Sequence, residues 1–329
     1  MTEARPPRDH GGNLDAAIRR FGGAFEDWLD LSTGINPVPY PVPPIPADRW
    51  AALPRKSDME ALCAAAQAAY RTTAQVVALA GAQGGIQIVP HLRAAGEARV
   101  LAPTYNEHAG ALRAAGWHVQ EVSGLEALRG ADIAVVVNPN NPDGKTYAPA
   151  DLSALARKVG ILVVDESFAD PVPQISLALN TSGFSDNILI LKSFGKFYGL
   201  AGLRLGFALA QPLLAKTVAA FAGPWPIGGP AIEIATTALA DHNWQNRTIQ
   251  RLAEDAARLD RLATAAGWSI VGGTTLFRTY AAPDAKAAQD RLARAHIWTR
   301  VFPYSDRWIR LGLPGTARDW ARLAATLSG

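Results

Sequence analysis

The 329-residue sequence predicts an α/β protein: a mostly parallel sheet covered by helices, followed by a smaller α+β unit. Three observations carry that reading. Short, predominantly apolar runs such as Ala131–Val137, whose one polar residue is Asp132, and Ile161–Val164 have the length and β-branching of strands buried on both faces. Those runs alternate with helical patterns through the middle of the chain. After Pro224 the order changes, to one long helical stretch and then strand candidates rich in aromatic residues.

Residues 1–45 are rich in Gly and Pro and end in Asn36-Pro-Val-Pro-Tyr-Pro-Val-Pro-Pro44, so they read as an irregular arm or connector. Residues 46–225 then form the large domain. Met59–Tyr70 is an Ala-rich helix, Val76–Ala80 a strand, Ile86–Ala95 a helix and Arg99–Ala102 a strand. His108–Ala115 and Asp151–Val159 are helices around the strand Ala131–Val137. Ile161–Val164, Asn187–Leu191 and Leu205–Ala210 complete the strands. Residues 226–329 form the small domain. It opens with a helical segment over Gly229–Ala266, interrupted near His242-Asn-Trp. Strands come next at Trp268–Val271, Thr275–Tyr280, Trp298–Phe302 and Trp308–Leu311.

Composition narrows the function. The chain is 49% apolar and 19% charged with a mean hydropathy of +0.03, the profile of an ordinary globular protein. A net charge of +3, with no Lys/Arg run, gives nothing to track a nucleic-acid backbone. The cations are mainly arginine, 25 against seven lysines, which suits small anionic ligands. The single cysteine, Cys63, allows no disulfide within the chain. The first residues carry no apolar signal region and no 18-residue apolar run occurs, so a cytoplasmic protein is expected. His91, His118, His242 and His296 lack metal-ligand spacing, and no metal is expected.

The most informative stretch is Leu191-Lys-Ser-Phe-Gly-Lys-Phe-Tyr-Gly-Leu-Ala-Gly-Leu-Arg-Leu-Gly206. It sets Lys196 three residues after Ser193 and eight before Arg204. A primary amine can condense with an aldehyde, while a hydroxyl and a guanidinium can hold a phosphate dianion. Pyridoxal 5′-phosphate asks for that combination. The alternative is a glycine-rich turn with an incidental lysine.

The other polar clusters also fall at carboxyl ends of expected strands, where open α/β sheets bind ligands. Gly81-Ala-Gln-Gly-Gly85 opens a helix, so the amides of Ala82 and Gln83 can meet a phosphate, or simply form a tight turn. Pro103-Thr-Tyr105 offers an aromatic ring for a cofactor face or for the core. Asn138-Pro-Asn-Asn-Pro-Asp-Gly144 is explained by turn chemistry, yet also offers an amide to a ring oxygen. Asp165-Glu166 puts a carboxylate directly after a buried strand, which is costly unless a cation such as a pyridinium N–H faces it. Glu166 reads as the structural member of the pair.

This order of motifs resembles the class I/II aminotransferase superfamily, fold type I, over nearly the whole chain. Within it, His10-Gly-Gly-Asn13, Leu31-Ser-Thr-Gly-Ile-Asn-Pro37, Gly223-Pro-Trp-Pro-Ile and Trp308-Ile-Arg-Leu-Gly are similar to the threonine-phosphate decarboxylases of cobalamin biosynthesis. The resemblance implies a seven-stranded type of sheet, pyridoxal 5′-phosphate as cofactor and a homodimer. It implies that Lys196 carries the cofactor, Asp165 faces its ring nitrogen and Asn141 its ring oxygen. Tyr105 would stack on the ring, and Ser193, Arg204 and the amides of Ala82 and Gln83 would hold the phosphate. On the substrate side it implies Arg310 for a carboxylate and Arg300 as a second anion ligand. His10 and the Ser32–Asn36 loop, with Ser32, Gly34 and Asn36, would approach a substrate phosphate, and Trp225 would line the pocket.

The chain departs from relatives that have Asp-Glu-Ala-Tyr where it has Asp165-Glu-Ser-Phe168. It also has Leu53-Pro-Arg where many have Tyr-Pro-Asp, and Asn141-Pro-Asp-Gly where the consensus is Asn-Pro-Thr-Gly. The expected reaction is decarboxylation of L-threonine O-3-phosphate to (R)-1-amino-2-propanol O-2-phosphate. The alternative is an aminotransferase acting on a phosphorylated amino acid such as histidinol phosphate, since substrate orientation alone separates the two. A pyridoxal-binding regulatory module without catalysis, or a scaffold that binds no cofactor, belongs to a different class. The Pro/Gly-rich first 45 residues leave no pattern for a helix-turn-helix, and the intact Lys196, Asp165 and Asn141 set speaks against a scaffold.

Overall fold

In a computed structural model, residues 10–179 and 184–328 are described. The chain divides into two compact units. The larger runs from Val38 to Leu252. The smaller combines the described residues up to Pro37 with those from Ala253 onward.

The larger unit is built on a seven-stranded sheet. Its order is Gln75–Leu79, Gly206–Ala210, Ile188–Ser193, Ile161–Asp165, Ile133–Val137, Glu97–Leu101 and His118–Val122. Gly206–Ala210 is antiparallel to both of its neighbours, and every other pairing is parallel. Ile133–Val137 is buried at every position, as its uninterrupted apolar run requires. One face of the sheet meets a core that includes Leu79, Ile86, Leu112, Trp117, Val163 and Leu191.

His118–Val122 is an edge strand that the sequence reading leaves out. Its residues are exposed or half-buried, so His-Val-Gln-Glu-Val has no apolar run to announce it. The long helical segment is broken as expected, into Gly229–Ala240 and His242–Ala265, with Asp241 between them. The first of these helices packs on Lys56–Ala69, and Arg49 joins the two by bonding Asp58 at 3.3 Å and Glu233 at 3.1 Å. That packing keeps residues 226–252 in the larger unit, whereas the sequence expectation starts the small domain at residue 226.

The smaller unit holds a four-stranded antiparallel sheet in the order Arg300–Phe302, Ser305–Gly312, Phe277–Ala281, Ser269–Thr274. The amino-terminal segment belongs to this unit and is not irregular throughout. Leu14–Phe21 is a helix capped by Asn13, whose side chain accepts the Ala16 N–H. Leu14 and Ala17 bury against Trp28 and Ala293. The spacing Leu14, Ala17, Ile18, Phe21 is an apolar helical stripe inside a Gly-rich context that conceals it. Leu29–Asp30 pairs in parallel with Ile297–Trp298. Among the described residues no helix is long and apolar enough to cross a membrane.

Candidate active site

The register of the large sheet brings the polar strand ends to one edge. Val137 pairs with Asp165, Asp165 with Leu191, Ser193 with Gly206, and Gly206 with Leu79. The segments that leave the sheet after Leu79, Val137, Asp165 and Ser193 therefore emerge on the same side.

Asp165 is 3% exposed. One oxygen, Oδ2, lies 2.8 Å from Nε2 of His108, itself buried. The other accepts the Ser167 N–H at 2.9 Å and the Ser167 hydroxyl. Burial pushes the Asp165 carboxyl up, but the bonds and charge from His108 and the Ser167 bonds outweigh it and leave the group below its usual range. The result is a buried carboxylate held as an anion. The Tyr105 ring meets the His108 ring edge-on, with centroids 6.3 Å apart.

Asn138 and Asn140 shape the loop that presents Asn141. The Asn138 side chain accepts the Tyr147 N–H at 2.9 Å and donates to the Tyr147 carbonyl at 3.2 Å. Asn140 donates to the Pro103 carbonyl and to Asp143, and accepts from Thr104. Turn chemistry thus accounts for these two asparagines and fixes the half-buried Asn141 beside them.

Gly81, at φ +73°, opens the helix Gly81–Ile88 and lies against Arg204. A Cβ at Gly81 would sit 3.2 Å from a terminal nitrogen of the Arg204 guanidinium, and one at Gly206 would sit 2.5 Å from the Ala82 amide nitrogen. Strand, turn and guanidinium therefore converge because two positions have no side chain. Gln83 donates to the buried Glu107 at 3.0 Å. Arg204 itself adopts a left-handed backbone, φ +53°, and donates to the Ala201 carbonyl. Ser193 ends its strand and immediately precedes the turn Phe194–Phe197, which carries Lys196. The Lys196 amine lies 5.8 Å from the centre of the Phe168 ring. A guanidinium, an amine and a fixed carboxylate thus come from segments that leave the same edge of the sheet.

Glu166 points away from this set into a second, fully buried one. It bonds Lys192 at 2.8 Å, accepts the Leu177 N–H at 2.7 Å and takes the Ser176 hydroxyl. Asp170 lies 3.6 Å from the same Lys192 amine. Trp225, in contrast, is 55% exposed.

In the smaller unit, Arg300 and Arg310 are directly opposed on neighbouring strands. Like charges so placed repel unless an anion or another partner answers them. Arg310 is 5% exposed, donates to the Ser32 carbonyl at 2.6 Å and lies over the Phe277 ring. The Ser32 hydroxyl donates to Asp30 at 2.6 Å and accepts the Gly12 N–H at 2.7 Å, so it braces the His10-Gly-Gly turn. A cavity of about 510 Å³ in this unit is lined by His10, Ser32 and Arg300, together with Lys286 and Gln289. Gly34 and Asn36 are buried and are not among its lining residues, and neither is Arg310.

His108 and Lys286 are the functional candidates that the sequence reading passes over. His108 comes one helical step after Tyr105, which is its only signal; Lys286 gives none, being one cation on an ordinary amphipathic helix.

Residues 54–327 match the profile of aminotransferase class I and II. The chain belongs to this family. It is 43% identical to a threonine-phosphate decarboxylase of Pseudomonas aeruginosa over 98% of its own length and 97% of the relative's. It is 42% identical to one of a Sinorhizobium species, covering 98% of each. The fold is also that of histidinol-phosphate aminotransferase from Sinorhizobium meliloti, solved in complex with pyridoxal-5′-phosphate, with a TM-score of 0.79 at 22% identity over 100% of this chain and 97% of that one. The family assignment agrees with the resemblance carried by the sequence motifs, and the mixed sheet agrees with the fold type expected.

Proposed function

We propose that the chain decarboxylates L-threonine O-3-phosphate to (R)-1-amino-2-propanol O-2-phosphate with pyridoxal 5′-phosphate as cofactor. The observation that carries this reading is the match along nearly the whole chain to threonine-phosphate decarboxylases, small unit included. Supporting it is a fit to the cofactor. The two glycine-dependent close approaches bring the Arg204 guanidinium against Gly81 and the Ala82 amide nitrogen against Gly206, and Asp165 is kept anionic.

When bound, the cofactor supplies a conjugated, protonated ring that accepts the electron pair released at Cα. Asp165 would face the ring nitrogen and favour its protonated form, with His108 and Ser167 keeping Asp165 charged and aimed. Asn141 would donate to the ring oxygen and Tyr105 would cover the ring face. Ser193, Arg204 and the amides of Ala82 and Gln83 would hold the phosphate. Lys196 would provide the amine that carries the aldehyde and would be the proton donor to Cα. Arg310 would orient the substrate carboxylate, and His10, Arg300 and the Ser32–Asn36 loop would take the substrate phosphate; Trp225 is the aromatic proposed for the substrate pocket. These anion ligands would set the orientation of the substrate, on which the choice between decarboxylation and transamination depends.

The reading includes a homodimer in the cytoplasm. The exposure of Trp50 at 70%, Leu53 at 65% and Trp225 at 55% supports an interface, to be checked by light scattering. The function is tested by adding threonine phosphate to the cofactor-loaded protein. Stoichiometric carbon dioxide release supports decarboxylation. Conversion to a pyridoxamine absorbance without carbon dioxide assigns an aminotransferase instead. Lys196→Ala should abolish the visible band of the bound aldehyde and all turnover.

A further inference from the structure

The helix Ala285–Arg294 brings one cation to the cavity of the smaller unit that no family motif marks. Lys286 lines that cavity with His10, Ser32 and Arg300. Its amine lies 3.0 Å from Oε1 of Gln289 and 3.1 Å from Asp290. Gln289 is 4% exposed, and its amide nitrogen donates to the Thr299 carbonyl at 2.7 Å. The oxygen of a rigid amide therefore fixes where the Lys286 amine rests. Asp290 has a second cation, Arg20, at 2.7 Å. When the lysine leaves, Arg20 still bonds Oδ2 of Asp290, so the carboxylate keeps one cation although its buried Oδ1 gives up the ammonium. A flexible four-carbon stem with three donors suits a group that must swing onto an arriving phosphoryl oxygen.

We infer that Lys286 is a specificity-determining cation of this cavity: it transfers from Asp290 to the phosphoryl group of the substrate and selects phosphorylated over unphosphorylated amino acids. The inference rests on the phospho-amino-acid reading above. A dianion bound by Arg300, His10 and a mobile ammonium gains one charge-assisted hydrogen bond that an unphosphorylated analogue cannot make. Gln289 serves as the resting partner, and the Asp290–Arg20 pair keeps the lysine available.

The test compares wild type, Lys286→Gln and Asp290→Asn, each as cofactor-saturated full-length protein. Titration with inorganic phosphate, followed by thermal melting or calorimetry, needs no turnover. Lys286→Gln should weaken phosphate binding roughly tenfold, and Asp290→Asn should leave it equal to wild type or tighter. In steady-state kinetics Lys286→Gln should raise KM for threonine phosphate by about the same factor with kcat nearly unchanged, while turnover of unphosphorylated threonine stays as it was. Equal phosphate responses in wild type and Lys286→Gln, or none in wild type, overturn the assignment. So does a loss in Asp290→Asn matching that in Lys286→Gln, which would make the lysine a helix-stabilising partner only. Wild-type protein that binds phosphate through Lys286 yet releases no carbon dioxide from threonine phosphate sinks the decarboxylase reading and leaves this one standing.

Discussion

His108 and Asp165 face each other at 2.8 Å, Nε2 to Oδ2, with both side chains buried. An anionic carboxylate only accepts, so the imidazole nitrogen facing it carries the hydrogen. With Ser167 satisfying the other oxygen, Asp165 remains charged in an environment that by itself favours the neutral acid.

Replacing His108 with Phe should let burial dominate and move the Asp165 carboxyl upward. The folded carboxyl now lies below its ordinary value, so its contribution to stability is present above that value and lost as pH falls through the folded one. With burial dominating in His108→Phe the sense should reverse, so that stability declines as pH rises through the raised folded value. Activity should fall on the order of tenfold or more, the scale of one hydrogen bond to a charged group. His108→Gln, which keeps a donor, should recover part of it. A pH–rate profile whose acid limb does not move would remove His108 from this role.

Asp170 behaves in the opposite sense. Burial and the neighbouring Glu166 raise its carboxyl to about 6 while the Lys192 charge opposes them. A raised acid contributes stability below its unfolded value and loses it as pH rises through the folded one. Asp170→Asn should therefore flatten the decline in melting temperature between acidic and neutral pH, with a gain on the order of 1–3 kcal/mol near pH 8. Melting curves at both ends of that window decide it.

Lys192→Met in the same cluster should be severe. It leaves Glu166 and Asp170 buried without their cation, a defect of roughly 3–5 kcal/mol. Denaturant titration of the double variant with Asp170→Asn should show partial recovery, since one of the two stranded carboxylates is then gone.

Gly206→Ala tests the proposed phosphate site directly. The added methyl would fall 2.5 Å from the Ala82 amide nitrogen and 2.7 Å from the Lys192 carbonyl oxygen, both backbone atoms. The turn must shift, so cofactor retention on dialysis should drop at least about tenfold and stability by roughly 1–3 kcal/mol. Unchanged cofactor content would mean the phosphate lies elsewhere.

Arg310→Lys should raise KM more than it lowers the melting temperature. A lysine can still reach the Ser32 carbonyl but cannot present the planar fork that grips a carboxylate. A loss of at least about tenfold in kcat/KM is expected from the missing bidentate pair. Steady-state kinetics beside a thermal melt separate the two effects.

Asp165, Ser193, Lys196 and the Gly81 turn were legible in the sequence because a buried apolar strand that ends in a polar group must find that group a partner. The strand runs fixed the α/β class for the same reason: uninterrupted Val and Ile can be satisfied only between two covered faces. Tertiary structure alone decided what sits beside them. His108 reaches Asp165 across 57 residues of chain, and Lys286 joins His10 across 276, separations at which no spacing rule operates. The edge strand His118–Val122 and the helix Leu14–Phe21 were hidden because their identity comes from the neighbours they pack on rather than from their own composition. Local sequence encodes which groups need partners; only the folded chain, through register and close approach at glycine, chooses which partners they receive.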